Sequence, residues 1–174
     1  MSQYDSSGRL VGIRRPVAED YKEFAAMVHR SRELHHPWVQ PPATPEDFAT
    51  YLETRADPMN DGFLVCRVGT GAIVGVINLN CIVRGHFHSA YLGYYSSAPF
   101  ARKGFMTEAL GLVCRYAFDV LYLHRLEANI QPENAASIAL ARKCGFQKEG
   151  FSPKYLKIAG QWRDHERWAL LAEE

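Results

Sequence analysis

No stretch of this sequence approaches the roughly 20 consecutive apolar residues that a bilayer-spanning helix requires, so a membrane protein of the helical kind is not expected. The opening residues Met1 to Leu10 are polar and lack the basic-then-apolar layout of a secretory leader. Cysteine is sparse. Cys66, Cys81, Cys114 and Cys144 stand far apart, with no Cys-x-x-Cys pair and no neighbouring histidine pattern, so neither a disulfide framework nor a metal site is indicated. Three of the four lie in apolar contexts and read as small core residues, which places the chain in the reducing cytoplasm. An excess of charge of one sign is also missing. The formal net charge is +1, which gives no broad electrostatic grip on nucleic acid or on an anionic membrane surface. Two phosphate-binding signatures are absent as well: the Gly-x-x-x-x-Gly-Lys-Ser/Thr loop and the Gly-x-Gly-x-x-Gly fingerprint.

What is present is the composition of a soluble globule, 47% hydrophobic and 22% charged over 174 residues. That length suits one domain over residues 1–174, able to bury about two-thirds of the surface its unfolded chain exposes. Leu10 to Arg15 reads as a strand closed by Pro16. A helix follows from Ala18, with Tyr21, Phe24, Ala25 and Val28 at helical spacing, and His35-His36-Pro37-Trp38 breaks it. Thr44, Pro45 and Asp47 have the chemistry of a helix N-cap, first position and third position, for a helix reaching Ala56. Gly62 to Val68 and Ala72 to Val83 are β-branched runs joined at Gly69-Thr70-Gly71, a hairpin, and His86 to Ser96 is a third strand. Lys103 to Val120 reads as a helix, Arg125 to Gln131 as a strand, and Asn134 to Cys144 as a helix ended by Gly145. Phe146 to Lys157 and Trp162 to Leu171 form strands about a turn at Gly160-Gln161. Hairpins give antiparallel pairs and helical crossovers give parallel ones, so the expected fold is an α/β (α+β) domain on a mixed sheet of six to seven strands.

Two segments carry chemistry. Phe100 to Thr107 joins a strand to a helix. The helix start leaves backbone N–H groups without internal partners, its dipole favours an anion, and Gly104 lets a phosphate approach the backbone. Arg102 and Lys103 add positive charge. The second segment runs from Asn134 to Phe146, with Asn134 and Ser137 spaced i, i+3 so that both can face one groove.

In this order the two segments resemble the GNAT N-acetyltransferase family. The family's second pattern, Asn-x-x-Ser/Ala-x-x-Leu-x-x-Lys-x-Gly-Phe, is met at Asn134, Ser137, Leu140, Lys143, Gly145 and Phe146. The first is met at Gly104, departs at Ala101, and carries Met106 where the pattern ends on a small residue. That bulk is tolerated in the ribosomal-protein-alanine N-acetyltransferases of the RimJ/RimL type. Gly85 to Tyr94, Lys103 to Leu110 and Tyr155 to His165 are the runs most similar to that subgroup.

The resemblance implies the fold of acyl-CoA N-acyltransferases and acetyl-CoA as co-substrate, with no metal. It implies that backbone N–H groups of Arg102, Lys103, Gly104, Phe105, Met106 and Thr107 hold the pyrophosphate. Tyr94, Tyr95 and Ser96 would pair with the pantetheine amides like an added strand, Asn134 and Lys143 would line the same site, and Ser137 would hydrogen-bond the sulfur. The catalytic candidates are then Ser137, Tyr94, whose backbone region would polarise the thioester carbonyl, and a base. The tyrosine that many relatives place after the leucine is Ala141 here, and the acidic positions of relatives are Tyr91 and Lys154. His88 is the first substitute base, with His86 and His165 beside it and Glu108 and Asp164 behind.

An α-amine titrates near 7.7–8.0 and a lysine amine near 10.4, so freeing the lysine costs about 3.4 kcal/mol more. A weak base therefore suits a protein N-terminus, of a ribosomal protein by resemblance, better than a lysine. Direct attack in a ternary complex is the expected route. Trp38, Tyr155 and Trp162 are the candidate lining of the acceptor groove. A small amine such as an antibiotic or polyamine, and a non-catalytic acyl-CoA-binding module, are the competing readings. Monomer and homodimer both remain open, and neither a nucleic acid nor a membrane is an expected partner.

Overall fold

A computed structural model describes residues 4–173, leaving Met1 to Gln3 and Glu174 of the expected domain outside the described residues. The elements are β1 Ser6–Ser7, β2 Val11–Arg14, α1 Tyr21–Arg30, α2 Arg32–His35, α3 Pro45–Ala56, β3 Asp61–Arg67, β4 Ile73–Val83, β5 Ser89–Ser96, α4 Phe105–Arg115, β6 Arg125–Ile130, α5 Ala135–Lys143, β7 Gln147–Ile158 and β8 Gln161–Leu171. The strands form one sheet in the order β1-β2-β3-β4-β5-β6-β8-β7. Only the β5–β6 pair, joined through the α4 crossover, is parallel. The mixed α/β class is as expected.

The eighth strand is β1, two serines paired with Gly12 and Ile13. No apolar alternation marks it. It is held by a remote carboxylate: Glu108 Oε1 on α4 accepts from the N–H groups of Leu10 (2.7 Å) and Val11 (3.1 Å) beside the turn. Three boundaries also shift, each because a residue takes positive φ. Gly104 has φ 83, so α4 starts at Phe105 rather than Lys103. His88 has φ 43, so β5 starts at Ser89. Ala159 and Gly160 (φ 50 and 79) are the two central residues of the β7–β8 turn, the geometry that matches strand twist. The expected helix cap holds: Asp47 N–H donates to Thr44 Oγ1 (3.1 Å) and Thr44 N–H to Asp47 Oδ2 (3.2 Å).

Along β3, Phe63 and Val65 enter a core shared with α4 and α5, while Leu64 and Cys66 enter a second one with Phe24 and Met27 of α1 and Phe48 and Tyr51 of α3. A strand covered on both faces cannot alternate apolar and polar, and each buried side chain of this size contributes about 1.5–3 kcal/mol.

The sheet opens at its centre. β5 and β6 pair only from Ser89–Arg125 to Leu92–Ala128. Beyond that point β5 continues along β4 to Ser96, while β6 continues along β8 to Ile130. The two halves diverge, and the β6-facing edge of Gly93 to Ser96 has no strand on it.

Candidate active site

Two cavities meet at this opening. One, of about 580 Å³, is bounded by the end of β5, the loop before α4 and the first turns of α5. The other, of about 460 Å³, lies between β5, β6 and the β7–β8 hairpin. Trp38, Val39, Tyr94, Asn134 and Ser137 line both and form the junction.

The larger cavity ends at the loop before α4. Arg102 (φ 60) and Gly104 (φ 83) are left-handed, which turns successive peptide groups toward one side. Gly104 is the N-cap of α4 and gives no side-chain cap, so the first-turn N–H groups and the helix dipole are left for an external anion. Nothing lies within 4 Å of where a Cβ at Gly104 would sit. The residues present therefore fit a pyrophosphate.

Arg102, Gly104, Met106, Thr107 and Lys143 line this space with Tyr94, Tyr95, Ser96, Asn134 and Ser137. The side chains of Lys103 and Phe105 do not. Lys103 Nζ donates to the Pro99 carbonyl (2.8 Å), and Phe105 packs edge-on against Phe100. The bulk of Met106 has a local explanation in Gly75 on β4, where an added Cβ would come within 2.6 Å of the Met106 sulfur. The glycine makes room for the methionine.

Two residues that sequence reasoning passed over hold the end of β5 in place. His35, read only as part of a helix-breaking run, is buried, and its Nε2 lies 2.8 Å from the Ser96 carbonyl. Burial lowers its pKa, so the neutral ring donates that hydrogen bond. Ser31 Oγ accepts from Ala98 N–H (2.9 Å). No spacing could have announced either contact, since both join α1–α2 to a strand more than sixty residues away.

At the junction, Asn134 Oδ1 caps α5 by accepting from Ser137 N–H (3.1 Å). Ser137 Oγ donates to Tyr94 Oη (2.9 Å), and Tyr94 Oη donates a longer bond to the Ser137 carbonyl (3.4 Å). Burial pushes the Tyr94 phenol up to about 12, with the Ser137 bond opposing it.

The smaller cavity is neutral. Among the described residues, no Asp, Glu, Lys or Arg lines it, and its imidazole is that of His165. His165 is buried, with Nδ1 2.9 Å from the Arg163 carbonyl. A carbonyl only accepts, so Nδ1 carries the proton and Nε2 the lone pair. Burial lowers the His165 pKa against the smaller opposing effects of Arg163 and Asp164, which keeps that lone pair available at neutral pH. Trp38 and Tyr155 line this cavity, whereas Trp162 stands 60% exposed outside it.

The structure separates His88 from the site. It sits before the first residue of β5, six positions from Tyr94 and so about 20 Å along an extended chain, with Nδ1 at 3.1 Å from the Tyr122 carbonyl. His86 is exposed and lines neither cavity. Glu108 is engaged with Leu10 and Val11, and Asp164 accepts from Lys154 N–H (2.7 Å). Cys81, at a bulge in β4 with φ 51, is the exposed cysteine and lines the smaller cavity, while Cys66 and Cys114 are buried as core residues and Cys144 is half-buried. No group of His, Cys, Asp and Glu among the described residues could hold a metal ion, and no helix there is long and apolar enough to cross a membrane.

A sheet split between parallel strands, with a glycine-capped helix at the split, agrees with the family profile that residues 11–147 match, described as an acetyltransferase (GNAT) domain. The chain belongs to this family. This GNAT chain is 46% identical over 98 residues to the ribosomal protein uS5-alanine N-acetyltransferase of Escherichia coli (strain K12), covering 56% of this chain and 50% of the relative. It is 43% identical over 99 residues to the probable N-acetyltransferase YjcK of Bacillus subtilis (strain 168), covering 57% and 55%. The matches thus span about half the length of these curated relatives. Among solved structures it is similar to Mycobacterium smegmatis RimJ in complex with CoA-disulfide, at TM-score 0.86 and 26% identity over 94% of this chain and 85% of the other.

Proposed function

We propose that this chain is an acetyl-CoA-dependent N-acetyltransferase whose acceptor is the N-terminal α-amine of a protein, a ribosomal protein being the class suggested by its relatives. The observation that carries the reading is the meeting of the two cavities at Tyr94 and Ser137: one is suited to an anionic nucleotide tail, the other to an uncharged acceptor.

The acetyl donor enters along the open edge of β5, where backbone groups of Gly93 to Tyr95 without a β6 partner accept it as a strand would. Backbone N–H groups there polarise the thioester carbonyl. The loop from Arg102 to Thr107 holds the pyrophosphate, and Lys143 adds a cation beside it. Ser137 Oγ donates to the leaving sulfur, and the acceptor amine attacks directly within the ternary complex.

His165 takes the role of base in place of His88. It lines a neutral cavity and, with Nδ1 engaged by the Arg163 carbonyl, carries its lone pair on Nε2, and an α-amine titrating near 7.7–8.0 needs only a modest base. The lack of carboxylates in the acceptor cavity speaks against a polyamine, whose several ammonium groups would lose hydration there without a counter-charge.

The test is proteome-wide mass spectrometry of N-terminal acetylation in cells with and without the protein. It is paired with purified protein offered N-terminal peptides, lysine peptides and small polyamines, followed by thiol release. Protein N-termini that lose acetylation, and turnover on α-amine peptides, are expected. Turnover confined to polyamines or internal lysines overturns the reading.

A further inference from the structure

The Ser137–Tyr94 contact is unusual in having two hydroxyls that can each donate to the other. Ser137 Oγ lies 2.9 Å from Tyr94 Oη, which lies 3.4 Å from the Ser137 carbonyl, so either hydroxyl can be the donor of the short bond. When the serine is the donor of that bond its proton is committed to Tyr94, and Ser137 has none to offer a sulfur at the junction. The phenol's bond to the carbonyl is long for an O–H donor, which prefers about 2.7–2.8 Å, so little holds the phenol proton in that direction.

We propose that Tyr94 is the positioning residue of the leaving-group site: when the acetyl donor is bound, its phenol donates to Ser137 Oγ and turns the serine proton toward the sulfur. Rotation of two hydroxyls accomplishes this, with no movement of the backbone. The Ser137 proton exchanges a neutral acceptor for a developing thiolate, and a bond to an ionised acceptor is about twice as strong. The Tyr94 donor polarises the serine further, since linked hydrogen bonds strengthen one another.

Neither of the neighbouring candidates is placed for this task. Ala141, one turn further along α5, is fully buried and carries only a methyl group. The Tyr95 hydroxyl is buried without a partner and its ring packs in the opposite core, against His35. Tyr94 is also equipped to remain a donor, because burial pushes its phenol up to about 12, above the range in which thiols titrate.

The step balances without proton loss from either hydroxyl. The amine nitrogen forms its bond to the carbonyl carbon, the C–S bond breaks with both electrons going to sulfur, and the amine proton passes to His165 and then to water. Ser137 and Tyr94 supply hydrogen bonds only.

This proposal rests on the reading that Ser137 faces the sulfur, but not on the identity of the acceptor, so its test needs no acceptor. Free CoA is bound to the wild-type protein, Tyr94→Phe, Ser137→Ala and the double variant, and its thiol is titrated by thiolate absorbance. In the wild type the bound thiol should titrate about one unit below the value of free CoA measured in the same buffer, the size of a single charge-assisted hydrogen bond. Ser137→Ala should restore the free value, Tyr94→Phe should recover about half the shift, and the double variant should match Ser137→Ala.

CoA affinity of Tyr94→Phe should stay within about twofold, and its kcat for acetyl transfer should fall about tenfold at unchanged KM. A bound thiol that titrates alike in wild type and Tyr94→Phe overturns the proposal. So does a Tyr94→Phe variant that loses CoA affinity without changing the thiol, since the hydroxyl then only anchors α5. Failure of the wild type to bind CoA removes the proposal together with the enzyme function. Failure to acetylate any N-terminal peptide leaves the titration standing.

Discussion

The two cavities that share Tyr94 and Ser137 are made of different material. The larger borders features set by the backbone: a left-handed loop, the glycine-capped start of α4 and the edge of β5 beyond its pairing with β6. The smaller is walled by side chains from β5, β6, β7 and β8, brought together from distant parts of the chain. A backbone site tolerates many side chains, which is why Lys103 and Phe105 can turn away from it, but it depends on particular φ angles. A side-chain site depends on residue identity and can change its acceptor with few substitutions. On the proposed reading, the donor would lie in the first of these cavities and the choice of acceptor would be made in the second.

The largest effect that would sharpen this contrast belongs to the side-chain site. His165→Gln should lower kcat about a hundredfold, the low end for loss of a general base, while leaving CoA affinity unchanged. Steady-state kinetics with an N-terminal peptide, beside CoA calorimetry, would measure both, and an unchanged kcat would return the base role to water. Next comes the backbone site. Gly104→Val places a β-branched residue at φ 83 and should weaken CoA binding about tenfold, from roughly 1–2 kcal/mol of left-handed strain. The acceptor KM should stay put. If the acceptor KM shifts as far as CoA affinity, the two sites are not separable in this way.

The pH dependence is smaller. His35 and His165 both have folded pKa values below the ordinary imidazole value, through burial. Below about 6.5 the unfolded chain takes up protons that the folded chain refuses. Their contribution to stability is thus full above about 6.5 and declines as pH falls from there toward the folded values. Denaturant melts of wild type and His165→Gln across that window should diverge in slope. The acidic limb of kcat/KM should also disappear in His165→Gln. The smallest effect concerns the junction: Asn134→Ala removes the α5 cap at about 1 kcal/mol, lowering the melting temperature by roughly 2–4 °C, with CoA affinity reduced only slightly.

The donor half could be read in the chain because its determinants are local. Gly104 before a helix, and Asn134, Ser137 and Gly145 around another, sit within single strand-loop-helix units. The acceptor half resisted. His88 and His165 look alike in sequence, and the register that carries His165 to the cavity while leaving His88 at the far end of β5 is a property of the whole sheet. His35 and Ser31 reach Ser96 and Ala98 across more than sixty residues, without a pattern. β1 was hidden because two serines carry no apolar signal, and the turn that returns the chain to β2 is held by Glu108, about a hundred residues away, through the N–H groups of Leu10 and Val11.

By itself, then, the sequence determined the order of the elements from β2 onward apart from the short α2, the mixed sheet and the glycine before α4, since hydrophobic period, caps and glycines act over a few residues. Only the tertiary structure decided where β5 and β6 part, which histidine faces the opening, and that Tyr94 lies within hydrogen-bond reach of Ser137. Those are distances between segments remote in the chain, and they are set by how the two cores pack against opposite faces of one sheet.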